Sequence, residues 1–199
     1  LKKGKPKSMC DISTSICSSP IGRLVISYCS EGLHSLNQIS TINDKKFQAD
    51  SKSIENLLKI FVDFFIFSQS IEILSTNGPE SVPQSCLTWL ETYFHSPDEL
   101  SRTPNLCPDV ISKTNSFQAK VWRTLLANVP FGQTITYGRL GELAGNKRAA
   151  RAVGTAMRQN PFQLIVPCHR VIHSNGTLGN YAGGERNLVK VWLLKHEQI

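Results

Sequence analysis

One short stretch, residues 164–172 with the sequence LIVPCHRVI, holds the side chains with the clearest chemical potential. Cys168 is followed at once by His169 and Arg170. As a core residue, Cys168 would continue the apolar run before it. As a zinc ligand with His169 and His173, it would need further ligands, and sequence neighbours rarely point at one ion together. As a nucleophile it would react as the thiolate, which requires a base and a positive environment. These interpretations stay open, although no papain-like or caspase-like signature supports a cysteine protease.

The positive charge of the chain is concentrated in its C-terminal part. Residues 117–199 hold eleven Lys or Arg and three acidic residues, for a net charge of +8, whereas residues 1–116 hold eleven and twelve, for −1. This asymmetry favours a polyanion-binding face. It favours nucleic acid over an anionic membrane, because no strongly amphipathic membrane helix accompanies it. An ordinary solvated surface is the alternative.

Cysteine content and hydropathy predict an intracellular location. The most apolar window, residues 54–67, is interrupted by charged residues and is too short to cross a bilayer; it could be a helix or a strand. The basic start has no apolar stretch behind it and is not a secretory signal. Six cysteines without such a signal indicate reduced thiols, metal ligation or catalysis. We expect a nuclear protein if the source is a eukaryote and a cytoplasmic one otherwise, with no membrane partner.

The predicted elements divide the chain into two units. An N-terminal domain over 1–96 contains a β-hairpin at 20–40, turning at Glu31-Gly32, and a helix at 84–95. A linker over 97–115 carries three prolines. The second domain, 116–199, opens with a helix that Ser116 caps and that buries Phe117, Val121 and Leu125.

Two further helices in the second domain predict a helix-turn-helix. The first starts at Thr136 and ends at Gly145, and the second is capped by Asn146 and runs to about Arg158. On the second helix, a core-facing side is predicted for Ala150, Val153, Gly154 and Met157. The opposite side carries no acid, and small residues lie between its cations, so this helix could approach a nucleic-acid groove closely. The residues predicted to contact DNA are Arg148, Ala149, Ala150, Arg151, Thr155 and Arg158.

The motif PCHRVI, preceded by ITYGRLGELAGNKRAARAVGTAMRQNP and followed by GNYAGGERNLVKVWLLKHE, resembles the O6-alkylguanine-DNA alkyltransferases over residues 117–197. The resemblance implies an α+β protein with a small sheet-containing N-terminal domain and a mostly helical C-terminal domain. It implies that Cys168 takes the alkyl group from O6 of a guanine flipped out of double-stranded DNA, in one irreversible displacement. Arg151 would fill the space that the base leaves, with its helix in the minor groove. The protein would act once per molecule, as a monomer, without a catalytic cofactor.

The resemblance also implies roles for the matching residues. Cys168 is the alkyl acceptor, and His169 takes the thiol proton through a water. Glu197, in the C-terminal helix, orients His169. Tyr137 donates its phenol proton to the guanine N3, and Asn160 holds the turn under the active-site loop. The substrate-binding residues that it implies are Tyr137, Met157, Val171, Tyr181 and Ala182.

The first unit matches the family less closely. The segment SPIGRLVISYCSEGLHSL resembles the family's N-terminal hairpin, and Cys10, Cys29, His34 and His95 fall where some animal members bind a structural zinc. Two thiolates and two imidazoles suit tetrahedral zinc. Spacing alone would not predict this site, and His95 could instead be a surface histidine at a helix end. No function is assigned to residues 43–83.

Two other classes of function compete with alkyl transfer. A damage-binding protein of the same family would grip alkylated DNA without accepting the group, but it would not need the thiol of Cys168. A transcription regulator would use only the helix-turn-helix, which leaves PCHR and GNYAGG unexplained.

Overall fold

The computed structural model describes residues 10–39, 70–79, 81–100, 102–111, 115–184 and 187–199. The apolar window 54–67 lies outside these ranges. Among the helices in the described ranges, none has the length and apolar character needed to span a bilayer.

The N-terminal part is built on a four-stranded antiparallel sheet. Its strands are β1 (Ser13–Cys17), β2 (Leu24–Cys29), β3 (Gly32–Gln38) and β4 (Ile73–Asn77), in the spatial order β3-β2-β1-β4. Every second residue of β1 is buried, as expected for a strand with one face on a core. The predicted hairpin is confirmed, because β2 and β3 pair directly across the tight turn at Ser30-Glu31.

In the described part of the chain, six α-helices follow β4. They are α1 (Gln84–His95), α2 (Pro108–Ile111), α3 (Phe117–Asn128), α4 (Tyr137–Leu143), α5 (Ala150–Arg158) and α6 (Asn187–His196). A short parallel pair, β5 (Ile135–Thr136) with β6 (Val171–Ile172), lies among them. The helix α1 has its predicted bounds, and Ser116 caps α3 as predicted, because its Oγ accepts from Ala119 N at 3.2 Å. The mixed fold expected from the sequence is therefore confirmed.

The start of α5 differs from the prediction. Asn146 does not cap the helix; its Oδ1 accepts from Arg148 N at 3.0 Å and closes a turn before the helix begins at Ala150. The residues of this segment that face the core also differ from those predicted. The buried residues here are Ala149, Val153, Ala156 and Met157. Ala150 is exposed and Gly154 is half-buried, so placing these two in the core was wrong.

The outer edge of β3 joins the sheet to two irregular segments. Leu33 N donates to Asn105 O at 2.9 Å and Cys107 N donates to Leu33 O at 2.7 Å. Further along the strand, Leu36 N donates to Pro161 O and Gln163 N donates to Leu36 O, both at 2.8 Å. The sheet therefore holds both the predicted linker and the loop that leads to Cys168.

Candidate active site and metal centre

Cys168 begins a single 3-10 turn, Cys168–Arg170, at the end of a loop that Asn160 organises. Asn160 is buried; its Nδ2 donates to Val166 O at 2.7 Å and its Oδ1 accepts from Phe162 N at 3.0 Å. These bonds cross-link the loop from inside and fix the direction in which Cys168 leaves it. The thiol is 6% exposed.

A buried carboxylate stands behind the residue that follows Cys168. Glu197 comes directly after the last residue of α6, not within that helix as expected. Its Oε1 lies 2.7 Å from His169 Nε2, and Arg170 grips it in a bidentate pair, with Nε–Oε2 at 2.7 Å and Nη2–Oε1 at 2.9 Å. Tyr93 of α1 adds a donor, with its Oη 2.7 Å from Oε1. The carboxylate thus has two partners from the 3-10 turn and one from the N-terminal part.

These contacts set the charge of each group. Burial opposes ionisation of Glu197, but the hydrogen bonds and charges of His169 and Arg170 outweigh it and lower its pKa to about 2. Burial lowers the pKa of His169, although Glu197 opposes that shift. At neutral pH the pair is therefore a carboxylate and a neutral imidazole. Because a carboxylate can only accept, His169 donates from Nε2 and keeps the lone pair on Nδ1.

The Nδ1 atom of His169 is buried and makes no hydrogen bond to any part of the chain that the structure describes. A buried imidazole nitrogen with a lone pair is a competent base. The thiol of the preceding residue needs a base, since burial raises the pKa of Cys168 even though Asn160 and the charge of Lys190 lower it. The arrangement suits a thiol that loses its proton only when it reacts.

The thiol lies at a cavity of about 550 Å³. The residues that line it are Tyr137, Ala150, Arg151, Gly154, Thr155, Met157, Arg158, Cys168, His173, Asn180, Tyr181 and Ala182. The lining combines an apolar floor with two arginines from α5. A planar aromatic base with polar edges fits such a mixture of apolar and polar groups.

Most of the predicted substrate and DNA residues meet at this cavity, and three do not. Arg148, Ala149 and Val171 are not among the described residues that line the cavity. Arg148 is exposed on the turn before α5. Ala149 is the residue before α5 and is only 7% exposed, so its side chain offers little surface, and its contact with DNA stays a prediction. Val171 is buried, and its carbonyl accepts from Lys190 Nζ at 2.7 Å.

Sequence reasoning missed three buried polar groups of the site. Lys190 is 1% exposed, and burial lowers its pKa to about 8, opposed by the charge of Cys168. Arg170 and Tyr93 hold Glu197 from two sides. A lysine inside the apolar run LVKVWLL and an arginine two residues after Cys168 are visible signals. Tyr93 has none, because an aromatic at helical spacing predicts only a core position.

A second cluster lies in the N-terminal part. The ligand atoms of Cys10, Cys29, His34 and Cys107 all lie within 4.8 Å of one another. Cys29 Sγ is 3.9 Å from Cys107 Sγ and 3.2 Å from His34 Nε2. Three sulfurs and one imidazole nitrogen are a donor set for tetrahedral zinc, and sulfurs 2.3 Å from a common ion would be about 3.8 Å apart. The residues present fit a structural metal.

The predicted ligand His95 does not belong to this cluster. It ends α1 on the surface, where its Nε2 lies 3.3 Å from Glu91 Oε2. Cys107 takes the fourth position, because the pairing of the linker with β3 carries it to the hairpin. Cys107 was not predicted as a ligand, since it stands in a proline-rich stretch that predicts only a connection.

The fold and the buried residues Cys168, His169 and Glu197 define a class of protein with a buried thiol at a cavity that two arginines line, and comparisons give the family. Residues 116–199 match a family model described as "6-O-methylguanine DNA methyltransferase, DNA binding domain". The chain is 36% identical over 195 residues to a methylated-DNA–protein-cysteine methyltransferase of Rattus norvegicus, covering 96% of this chain and 84% of the relative. It is similar to the crystal structure of Mycobacterium tuberculosis O6-methylguanine methyltransferase, with a TM-score of 0.63 and 29% identity over 94% of this chain and 93% of the other.

A second Mycobacterium tuberculosis structure, in complex with DNA, has a TM-score of 0.61 and 28% identity over 94% of this chain and 92% of the other. The chain belongs to the methylated-DNA–protein-cysteine methyltransferase family.

Proposed function

We propose that this protein repairs double-stranded DNA by moving the alkyl group from O6 of a guanine to Cys168, once per molecule. The observation that carries the proposal is the position of Cys168, which lines a cavity and directly precedes His169, whose imidazole contacts the buried carboxylate of Glu197. The relatives are named for methylated DNA and for a cysteine of the protein itself. All six cysteines lie in the described residues, and Cys168 alone among them lines the cavity.

The chemistry needs a thiolate only at the moment of attack. His169 Nδ1 accepts the thiol proton through a water, and the sulfur then attacks the alkyl carbon. The new S–C bond forms as the C–O6 bond breaks, and the oxygen keeps the electron pair. Tyr137 donates its phenol proton to N3 of the purine, so that neutral guanine leaves. Burial, followed by the charge of Cys168, raises the pKa of Tyr137, which keeps its proton available until then.

Backbone groups supply partners for the exocyclic groups of the base. The backbone N–H of Ala182 donates to O6, and the carbonyls of Cys168 and Val171 accept from the exocyclic amine. Val171 O already accepts from Lys190, but a carbonyl has a second lone pair. Met157 and Tyr181 supply apolar walls for the flat base.

The DNA approaches over α4 and α5, which act as a helix-turn-helix in the C-terminal domain. Arg151 and Arg158 are exposed at the mouth of the cavity, where Ala150 and Thr155 leave room for a backbone to come close. Flipping the base costs a few kcal/mol, less for a mispaired lesion, and Arg151 fills the space left in the stack. A monomer acting inside the cell, in the nucleus of a eukaryote, fits this substrate.

Intact mass measurement tests the function directly. The protein is incubated with a duplex that holds one O6-methylguanine. We expect a gain of one methyl group, stopping at one per molecule, in the wild type and in Cys86→Ala, and none in Cys168→Ser. Tight binding to the lesion without any gain in mass would instead favour a protein that only binds damaged DNA.

We further propose that Cys10, Cys29, His34 and Cys107 hold one structural zinc. The supporting observations are the short distances between their ligand atoms and the attachment of the Cys107 segment to β3. The ion would tie the start of the chain, the hairpin and the linker together. It would supply folding free energy and no step of the reaction.

Zinc content and thermal stability of matched variants test this site. We expect about one zinc per wild-type molecule, little in Cys107→Ser, and recovery in Cys107→His, since an imidazole can replace a thiolate in a tetrahedral site. His95→Ala is the control and keeps its zinc. Loss of zinc from His95→Ala with retention in Cys107→Ser would reverse this assignment.

A further inference from the structure

Tyr93 is the point at which the N-terminal part reaches the active-site carboxylate. It lies on α1, is fully buried, and its Oη is 2.7 Å from Glu197 Oε1. The ring is fixed on several sides: it stacks on Trp89 with centroids 5.2 Å apart and meets Phe94 and Phe131 edge to face. A phenol held this firmly presents its proton to one oxygen atom.

That oxygen is shared. Glu197 Oε1 also takes the hydrogen bond of His169 Nε2 at 2.7 Å and that of Arg170 Nη2 at 2.9 Å. Three donors share the electron density of one carboxylate oxygen, so each hydrogen bond weakens the other two. Tyr93 Oη and His169 Nε2 lie at the same distance from Glu197 Oε1, so the phenol and the imidazole compete for the hydrogen-bonding capacity of this oxygen.

We propose that Tyr93 is a positioning residue that holds Glu197 Oε1 and restrains the proton affinity of His169. The inference rests on the proposed function, in which His169 is the base. Tyr93 touches neither the substrate nor the thiol; it acts through Glu197. In this way the N-terminal part adjusts the reactivity of a site whose other groups all come from the C-terminal part.

The remaining charges near His169 do not replace this effect. Arg170 and Lys190 lower the proton affinity of His169 by repulsion, and both are held by other contacts, Arg170 Nη1 by Val129 O at 2.8 Å and Lys190 by Val171 O. Tyr93 is a neutral donor, since burial, followed by the charge of Glu197, raises its pKa well above the usual range. Removing its hydroxyl therefore changes hydrogen bonding without removing a charge.

The test is the pKa of His169 in the free protein, followed by NMR of labelled histidine. In Tyr93→Phe, Glu197 Oε1 has one donor fewer and stabilises the imidazolium better, so the pKa of His169 rises by about 0.5 to 1 unit. In the pH profile of the alkyl-transfer rate, the pKa of the acid limb rises by the same amount. Tyr28→Phe is the matched control, because it also removes one buried hydroxyl, 3.0 Å from Ser15 Oγ, and leaves the pKa of His169 unchanged.

A second variant gives the opposite sign. Site-specific 3-fluorotyrosine at position 93 keeps the ring and makes the phenol a stronger donor, so the pKa of His169 falls. This variant decides the question if Tyr93→Phe does not fold. Wild-type values of the pKa in both variants would overturn the proposal and leave Tyr93 as a packing residue. Because the histidine titration uses no DNA, its result stands whether or not the protein proves to take an alkyl group.

Discussion

Lys190 Nζ donates to Val171 O at 2.7 Å, and both residues are buried. The same ammonium donates to Leu178 O, so one cation joins β6, the segment after it and α6. It is also the charge that favours the thiolate of Cys168. The side chain of Lys190 therefore both joins these segments by hydrogen bonds and favours the thiolate of Cys168 by its charge.

Lys190→Met should lower the rate at which the thiol of Cys168 reacts. Without the cation, the pKa of Cys168 rises further, and a rise of one unit lowers the thiolate fraction at pH 7.5 about tenfold. The rate of carboxymethylation of Cys168 by iodoacetate between pH 7 and 10 measures this shift. Lys195→Met, an exposed lysine of the same helix, should react like the wild type. Equal rates in the two variants would show that Lys190 matters only as a donor to carbonyls.

Glu197→Gln should change the response of stability to acid. The native pKa of about 2 lies below the ordinary 4.5, so between these values the unfolded chain binds more protons than the native protein. The stabilisation is complete above pH 4.5 and is lost as the pH falls toward 2, and it amounts to about 3 kcal/mol. Urea midpoints at pH 7, 4.5 and 3 should show a deficit in the variant that shrinks with acid. Glu99→Gln, which changes an exposed carboxylate, should show no comparable trend.

Arg151→Ala should weaken action on duplex DNA and spare the thiol. We expect the rate of transfer from a duplex to fall about tenfold or more, because filling the vacated stack lowers the cost of flipping. Carboxymethylation of Cys168 should not change. Arg23→Ala removes an exposed cation of the N-terminal part and should retain the wild-type transfer rate. Equal losses in both variants would point to general charge attraction instead.

Gly32→Ala should destabilise the protein by about 2 kcal/mol or more. Gly32 has φ +138°, and a Cβ there would lie 2.6 Å from Asn105 O, in the segment that carries Cys107. Gly138→Ala in α4 is the control, since a Cβ there meets nothing within 4 Å of the described atoms; it should be neutral or stabilising by up to about 1 kcal/mol. Chemical denaturation of both variants tests the contrast.

The sequence predicts those parts that depend on local patterns. The hairpin follows from alternation around Glu31-Gly32. The helices α1 and α3 follow from apolar spacing, together with the stop at Ser96-Pro97 for α1 and the Ser116 cap for α3. The register of α5 could not be predicted, because Asn146 has two local uses, capping a helix or closing a turn, and tertiary packing selects the turn.

The candidate site shows the same limit at longer range. The resemblance predicts that Glu197 orients His169, and the structure places their side chains 2.7 Å apart; the roles assigned to Cys168, His169 and Glu197 stay predictions. Cys107 and Tyr93 were missed, because each gains its partner only through packing between distant segments, and neither carries a local signal.

The edge of β3 has a consequence for solubility. An edge strand offers unpaired backbone groups on which a strand from another molecule can add. Here Leu33 and Leu36 have their outward groups occupied by segments of the same chain, near Asn105 and near Pro161. The loop that leads to Cys168 therefore also covers the edge of the sheet. If this loop detached from β3, the exposed strand edge could start aggregation.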